Sequence, residues 1–292
     1  MAIPICSRLI SVIIPAYNAA KTLGAQLDAL KEQVYDGPWE ILVVNNRSTD
    51  ETVEVVKAYQ SSMPNLHLVQ ALSKQGRSHA CNVGAQAAKG DALIFCDADD
   101  IAAPGWLAAL AAALEYHEFV AGSIEIHMLN PRTPWRPNPV ISGRHPALNF
   151  LPQAPGTNMA MSRAAFDAVG GFTEGIPPCE DIDISWRLQL KGYTIEDAPD
   201  AVMHIRYRET MESLWKQITL YGECHAFLYR HFAAHGMPGS SMNDVAKRYY
   251  WLLTNVPRLM LPNRQERSRW VYQAAGRWGR LRGSLRYRTF YL

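Results

Sequence analysis

Short apolar runs alternate with amphipathic stretches through the first hundred residues, and most of the runs stop at a polar cluster. Residues 9–14 form a β-branched run stopped by Pro15, which predicts a first strand. Residues 19–33 place Leu23, Leu27 and Leu30 at helical spacing. Residues 41–44 predict a second strand, followed by a polar turn and a helix through Val53, Val56 and Tyr59. Asp50 sits where that helix would take its N-cap. A short third strand is expected at 65–69, a small-residue helix at 78–89 closed by Gly90, and a fourth strand at 93–96. This alternation predicts a largely parallel α/β sheet.

Beyond residue 100 the pattern is looser. Residues 119–128 alternate like a sheet strand, and the four prolines within 130–139 predict a surface loop. A helix over 181–191, a strand within 193–204 and an aromatic-rich helix over 211–232 complete the reading. The expected boundary lies near 206–210, giving a body at 1–207 and a helical, arginine- and aromatic-rich extension at 208–292.

The fourth run, Leu93-Ile94-Phe95-Cys96, ends in Asp97-Ala98-Asp99-Asp100. Ligand sites of open α/β sheets lie at the carboxyl ends of strands. Three crowded carboxylates repel one another, and a divalent metal with a phosphate on its far side would compensate them. A solvated acidic patch at a helix start is the plainer alternative.

Four further segments align with this cluster: Pro15-Ala16-Tyr17-Asn18, the turn from Asn45 to Asp50, the stretch from Asn158 to Phe172 with its Gly170-Gly171 pair, and Cys179-Glu180-Asp181 opening a helix. Together, over roughly residues 8–205, they resemble the family 2 glycosyltransferases, nucleotide-sugar enzymes of the GT-A fold. The resemblance implies a Rossmann-like, mostly parallel mixed sheet flanked by helices. It also implies inverting transfer of a sugar from a nucleotide-diphosphate donor to a hydroxyl acceptor. Pro15, Ala16 and Tyr17 would wall the base, and Asn45 would read its imide N–H where the family usually has an aspartate. An amide oxygen accepts that bond without the added charge, which favours a UDP-sugar.

Asp97-Ala98-Asp99 matches the family's D-x-D. By the resemblance Asp97 lies on the ribose side and Asp99 ligates manganese or magnesium, with His204 as a further ligand. Glu180-Asp181 matches the E-D pair, making Asp181 the general base, held ionised at a helix N-terminus but with lowered basicity. Asn158, Glu180 and Trp186 are expected to line the acceptor or sugar pocket. Arg77 is a candidate contact to base or phosphate, and Cys81 stands where relatives often carry an arginine. Two rivals remain open. The departures at Asn45 and Cys81 fit a catalytically silent donor-binding protein. An apolar strand ending in Asp-x-Asp also occurs in haloacid-dehalogenase-type phosphatases, which place it on the first strand rather than the fourth.

Charge adds an asymmetry. Residues 264–292 carry eight arginines against Glu266, a net of +7, which leaves residues 1–263 at −5 within a chain total of +2. Interleaved with six aromatics (Trp270, Tyr272, Trp278, Tyr287, Phe290, Tyr291), these arginines suit peripheral contact with an anionic membrane. No nucleic-acid partner is expected. Five scattered cysteines without a C-x-x-C fit a reducing compartment, and no leader or membrane-spanning run is read. A cytoplasmic protein, possible at the inner membrane face, is the expectation.

Overall fold

A computed structural model describes residues 9–130, 140–141, 143–207 and 210–292. The first half is built from β1 (Ile10–Ala16), α1 (Leu23–Lys31), β2 (Trp39–Asn45), α2 (Thr52–Gln60), β3 (Leu66–Gln70), α3 (Arg77–Ala87) and β4 (Ala92–Phe95). These four strands are parallel and ordered β3-β2-β1-β4. The two-residue side-chain period divides each strand between two helical layers. Ile10, Val12 and Ile14 pack with Leu23, Leu27 and Leu30, while Ile13 packs with Ala80, Cys81 and Ala85 of α3.

Two expected stop signals act differently. Pro15 does not end β1, which continues to Ala16 in register with Asn45. Ile13 directs its carbonyl toward Cys96, so the site where Pro15 lacks an N–H faces the same way, beyond the last residue of β4. Gly90 is not the helix terminator either: α3 ends at Ala87 with an extended cap at Ala88. Gly90 is small because β1 passes beside it, and a Cβ there would lie 2.4 Å from the Leu9 carbonyl oxygen.

After β5 (Ile101–Ala102) and α4 (Trp106–Leu114), the chain adds β6 (Phe119–Glu125), β7 (Val140–Ile141), β8 (His145–Pro146), β9 (Pro152–Gln153) and β10 (Met159–Ser162). Then follow α5 (Arg163–Ala168), α6 (Glu180–Leu190) and β11 (Glu196–His204). The main sheet runs β3-β2-β1-β4-β10-β6-β11-β5, with β7 on β6, and β10 is antiparallel to both its neighbours. β6 is buried on both faces from Phe119 to Ile124 rather than alternating. The proline-rich loop expected at 130–139 lies outside the described residues, Asn130 excepted.

Three helices close the chain: α7 (Met211–Phe232), α8 (Met242–Thr254) and α9 (Arg264–Arg286). α7 and α9 run parallel, Met211 beside Ser268 at one end and Ala226 beside Gly283 at the other. Their backbones touch, since a Cβ on Gly279 would stand 2.0 Å from the Thr219 carbonyl oxygen. The core around Trp186 of α6 takes in Cys224, Phe227 and Phe232 of α7, so packing crosses the boundary expected at 206–210.

Candidate donor and catalytic site

The carboxyl ends of β1, β2 and β4 open on one edge of the sheet, and α6 begins opposite them. Past β4, Asp97, Asp99 and Asp100 each place a carboxylate oxygen within 4.8 Å of the others. Asp100 is buried and already satisfied: it accepts the Thr157 hydroxyl and the Arg206 N–H, the latter at 2.9 Å. Burial, then the charges of Asp97 and Asp99, push its carboxyl up to about 8. Asp97 and Asp99 are half-buried, so they form the open side of the cluster. An all-oxygen, anionic donor set of this kind fits a hard divalent cation such as magnesium or manganese.

Arg77 ties this cluster to α6. Its Nε donates to Asp97 at 2.9 Å, Nη1 to Glu180 at 3.1 Å and Nη2 to the Gly156 carbonyl at 2.7 Å. Burial opposes the guanidinium charge, but Asp97, Cys81 and Glu180 outweigh it and raise its pKa well above the ordinary value. Cys81, one turn along α3, is fully buried, and burial pushes its thiol up to about 12. Cys81 is therefore a core position, and a guanidinium stands four residues earlier at Arg77.

Asp181 follows Glu180 in the first turn of α6. Its carboxylate accepts the Gly156 N–H at 3.2 Å and the Ile182 N–H at 2.9 Å. Burial outweighs Arg77 and these bonds and raises its pKa, contrary to the lowered basicity expected from the helix terminus alone. Glu180 is buried and likewise raised, burial being opposed chiefly by Arg77.

The base-side residues divide. Tyr17 is 52% exposed and Pro15 half-buried, but the Ala16 methyl belongs to the core, leaving only its backbone at the rim. Asn45 Oδ1 accepts the Ser48 N–H at 3.1 Å and Nδ2 donates to Gln70 at 2.8 Å, so a second oxygen lone pair remains for a base. Asn46 fastens the β2 turn to the segment before α3 through Ala71, Lys74 and Gly76. The left-handed positions nearby are Asn18 and Arg47, not the two adjacent asparagines. Asp50 precedes the cap at Glu51 and bonds Ala20 and Thr52.

Two expected pocket residues are corrected. Asn158 is fully buried and braces the sheet, donating to the Ser123 and Ala201 carbonyls and accepting Trp106 Nε1–H at 2.8 Å. Trp186 is fully buried between Phe150 and Phe232, its indole N–H donated to the Leu151 carbonyl at 2.8 Å. Neither has surface left for a sugar. Ala98 is buried in the core as well. His204 does not join the acidic trio; its Nδ1 pairs with Glu125 at 2.8 Å, while its backbone aligns with Ile101.

Three residues at the site gave no sequence signal. Thr157 and Arg206 fix the acidic turn, with Arg206 Nε also donating to the Asp99 carbonyl at 3.3 Å. Tyr221 of α7 is partly exposed and accepts the Gln217 amide N–H at 3.1 Å, and its phenol is raised to about 12 by desolvation, then by the charge of Asp181. Each arrives from an element distant in sequence, where no local spacing could announce it.

A mixed sheet with an acidic turn on one side of a strand-end cleft and an acidic helix start on the other defines an α/β fold whose candidate ligand site lies at the carboxyl ends of its parallel strands. The chain belongs to glycosyl transferase family 2, whose description "Glycosyl transferase family 2" matches residues 11–170. It is similar to "Glycosyltransferase AglE" of Haloferax volcanii, 35% identical over 99 residues that cover 34% of this chain and 33% of that protein. The matched stretch spans between 27% and 42% of the length of the first such relatives. In fold it is similar to "Mannosyltransferase PcManGT from Pyrobaculum calidifontis in complex with GDP-Man and Mn2+", with a TM-score of 0.62, 20% identity, and coverage of 95% of this chain and 87% of that one. It is also similar to S. aureus TarS 1-349 in complex with UDP-GlcNAc, with a TM-score of 0.54, 19% identity, and coverage of 97% and 93%. The fold is GT-A-like, a mixed curled sheet flanked by helices with a helical C-terminal region.

Proposed function

We propose that this protein is an inverting glycosyltransferase that moves a sugar from a nucleotide diphosphate, UDP favoured, to a hydroxyl acceptor, with Asp181 as general base. The observation that carries the reading is Arg77, whose one guanidinium joins Asp97 of the acidic turn to Glu180 beside Asp181. The site that would hold diphosphate and metal is thereby coupled to the site that would deprotonate the acceptor. Asp99 and Asp97 would hold magnesium or manganese, which supplies charge neutralisation of the departing diphosphate. His204 would serve as a further ligand through the ring nitrogen not paired with Glu125, although the acidic trio forms without it. Burial around Asp181 raises its pKa, which increases its strength as a base toward a hydroxyl. Of the two departures behind the silent-binder alternative, Arg77 would supply the charge that Cys81 lacks, and Asn45 keeps an oxygen lone pair for the base.

Transfer assayed from a panel of nucleotide sugars with manganese, followed by anomeric analysis of the product, tests the reading. Inverted product that disappears in Asp181→Asn, with donor binding retained, is the expected result. A retained anomer would overturn the single-base mechanism.

We further propose a body at 1–207 with an extension at 208–292 that meets an anionic membrane surface, peripherally and from the cytoplasmic side. No described helix is long and apolar enough to cross a membrane. The support lies less in the last aromatics than in α8 and the turn after it, where Tyr250, Leu253 and Met260 are 69%, 74% and 89% exposed. Residues 242–270 carry six basic side chains against Asp244 and Glu266. Exposed apolar side chains flanked by arginine are the features that interfacial segments combine.

A further inference from the structure

The arginines of the C-terminal helices fall into two groups. Arg258 pairs with Glu266, while Arg282 and Arg286 both pair with Glu223. Arg248, Arg277 and Arg280 stand together without such a partner: among the described residues no carboxylate lies within ion-pair distance of any of them. Arg280 reaches inward from α9 across the Tyr291 ring, 5.4 Å from its centroid, and gives its Nε–H to His225 Nδ1 at 3.1 Å. That bond requires a neutral imidazole, and burial followed by Arg280 and Arg277 holds His225 down at about 3. The histidine is therefore a dipole, not a counter-charge. Arg277, one turn earlier on α9, has a buried Nε with no hydrogen-bond partner. Burial, then Arg280 and Arg248, bring it down to about 10.

Beside this cluster lies a cavity of about 370 Å³, lined by Arg248, Arg280, Ser240, Ser241, Asn149 and Tyr291 among others. Asp244 is also in the lining, but forms no ion pair with either arginine. Ser241 caps α8, a helix of 13 residues, so the positive end of that helix opens on the same space. Two guanidiniums, hydroxyls and a helix start converge on this space, where Asp244 is the carboxylate side chain present and Leu292 is held by Ser240. Arg248 and Arg280 share this lining, and a bound anion would offset their like charge.

We propose that this cavity binds a phosphate-bearing anion, at a site distinct from the acidic turn and α6. Phosphate fits better than a carboxylate because its three or more oxygens can engage two guanidinium forks and the helix start together. The phosphate comes either from solution or from a lipid headgroup, and two arms of one experiment separate these sources. The proposal does not rest on the transferase reading.

The test uses the full chain in EDTA. Isothermal titration with inorganic phosphate and pyrophosphate forms one arm, and sedimentation with phosphatidic acid in phosphatidylcholine vesicles forms the other. Arg248→Gln is chosen because Arg248 is exposed and its loss leaves the helix packing intact. Lys247→Gln removes the same charge from the adjacent, exposed position. Arg248→Gln is expected to weaken binding at least tenfold in one arm, with Lys247→Gln changing phosphate binding less than twofold, weakening vesicle binding clearly less than Arg248→Gln does, and UDP binding in manganese unaltered in both. Loss in the titration assigns a soluble phosphate; loss on phosphatidic acid vesicles alone assigns a lipid headgroup. No loss in either arm, or equal loss in the two variants, would overturn the site, the latter by showing general surface charge only.

Discussion

Arg77 sits half-buried between two carboxylates that come from opposite sides of the cleft, and each of them depends on it for charge balance. Arg77→Met should therefore leave Asp97 and Glu180 facing one another uncompensated. Removing one partner of an enclosed ion network costs on the order of 3 kcal/mol, to be read from the urea midpoint, and a loss below about 0.5 kcal/mol would mean that solvent already screens the triad. Asp181→Asn should act differently. Donor affinity should persist while transfer falls by roughly 10²–10⁴, the range of a positioned general base. Because burial raises the Asp181 carboxyl above the ordinary aspartate value, it takes up its proton at higher pH than an ordinary carboxylate as the medium is acidified. The acid limb of the rate profile should accordingly lie above the usual carboxylate range and vanish in the variant. The linkage has the opposite sign for stability: a carboxyl raised on folding contributes fully below its unfolded pKa and loses that contribution as pH rises through its folded pKa. Asp181→Asn should thus be relatively more stable at pH 7 than at pH 3, checked by melting at both. At this scale the sequence was legible where chemistry is local. Asp97, Asp99, Glu180 and Asp181 stand in short motifs at strand and helix ends, and the structure brings them to one cleft. The burial of Asn158 and Trp186 is not legible in the sequence, because it is decided by Trp106, Phe150 and Phe232, none of them sequence neighbours.

Elements were legible as far as their periodicity was their own. The first four strands and three helices follow from apolar spacing, and the helix over 211–232 has the bounds expected of it. Pro15 and Gly90 look like punctuation in the sequence, yet each is set by what a neighbouring strand does beside it. The seam between α7 and α9 extends that lesson, since glycines inside a helix ordinarily argue against the helix. Here Gly279 is required by backbone contact with Thr219, whereas a Cβ on Gly276 would meet only Ile218 Cγ2, at an ordinary 3.6 Å. Gly279→Ala should force the two helices apart and lower stability by about 1–3 kcal/mol or more. Gly276→Ala should be neutral or gain up to about 1 kcal/mol from helix propensity. Parallel thermal melts of the two variants decide the point, and equal losses would show that the seam is not sterically closed.

For the whole molecule, the charge asymmetry visible in the sequence survives, but its carrier changes. Residues 264–292 are not a free basic tail: α9 packs along α7, Tyr291 is buried, and Ala275 shares a core with Leu214 and Ile218. Deleting the chain after Pro262 would uncover that core, so truncation tests folding rather than membrane contact. The exposed apolar positions of α8 and the following turn offer a cleaner probe, because Leu253 and Met260 are 74% and 89% exposed and support no core. Leu253→Ser with Met260→Ser should leave the melting temperature and donor binding unchanged. Each side chain inserted at the headgroup boundary contributes on the order of 1 kcal/mol, so the pair should weaken attachment to phosphatidylserine vesicles roughly tenfold or more. The arginines of the same segment make that attachment salt-sensitive, since each charge near an anionic leaflet adds about 1 kcal/mol at low ionic strength. Sedimentation of wild type and double variant at low and high salt separates the two contributions. A wild-type chain that stays in the supernatant with anionic vesicles at low salt would remove the membrane from the reading and leave α8 as a surface for an acceptor or another protein.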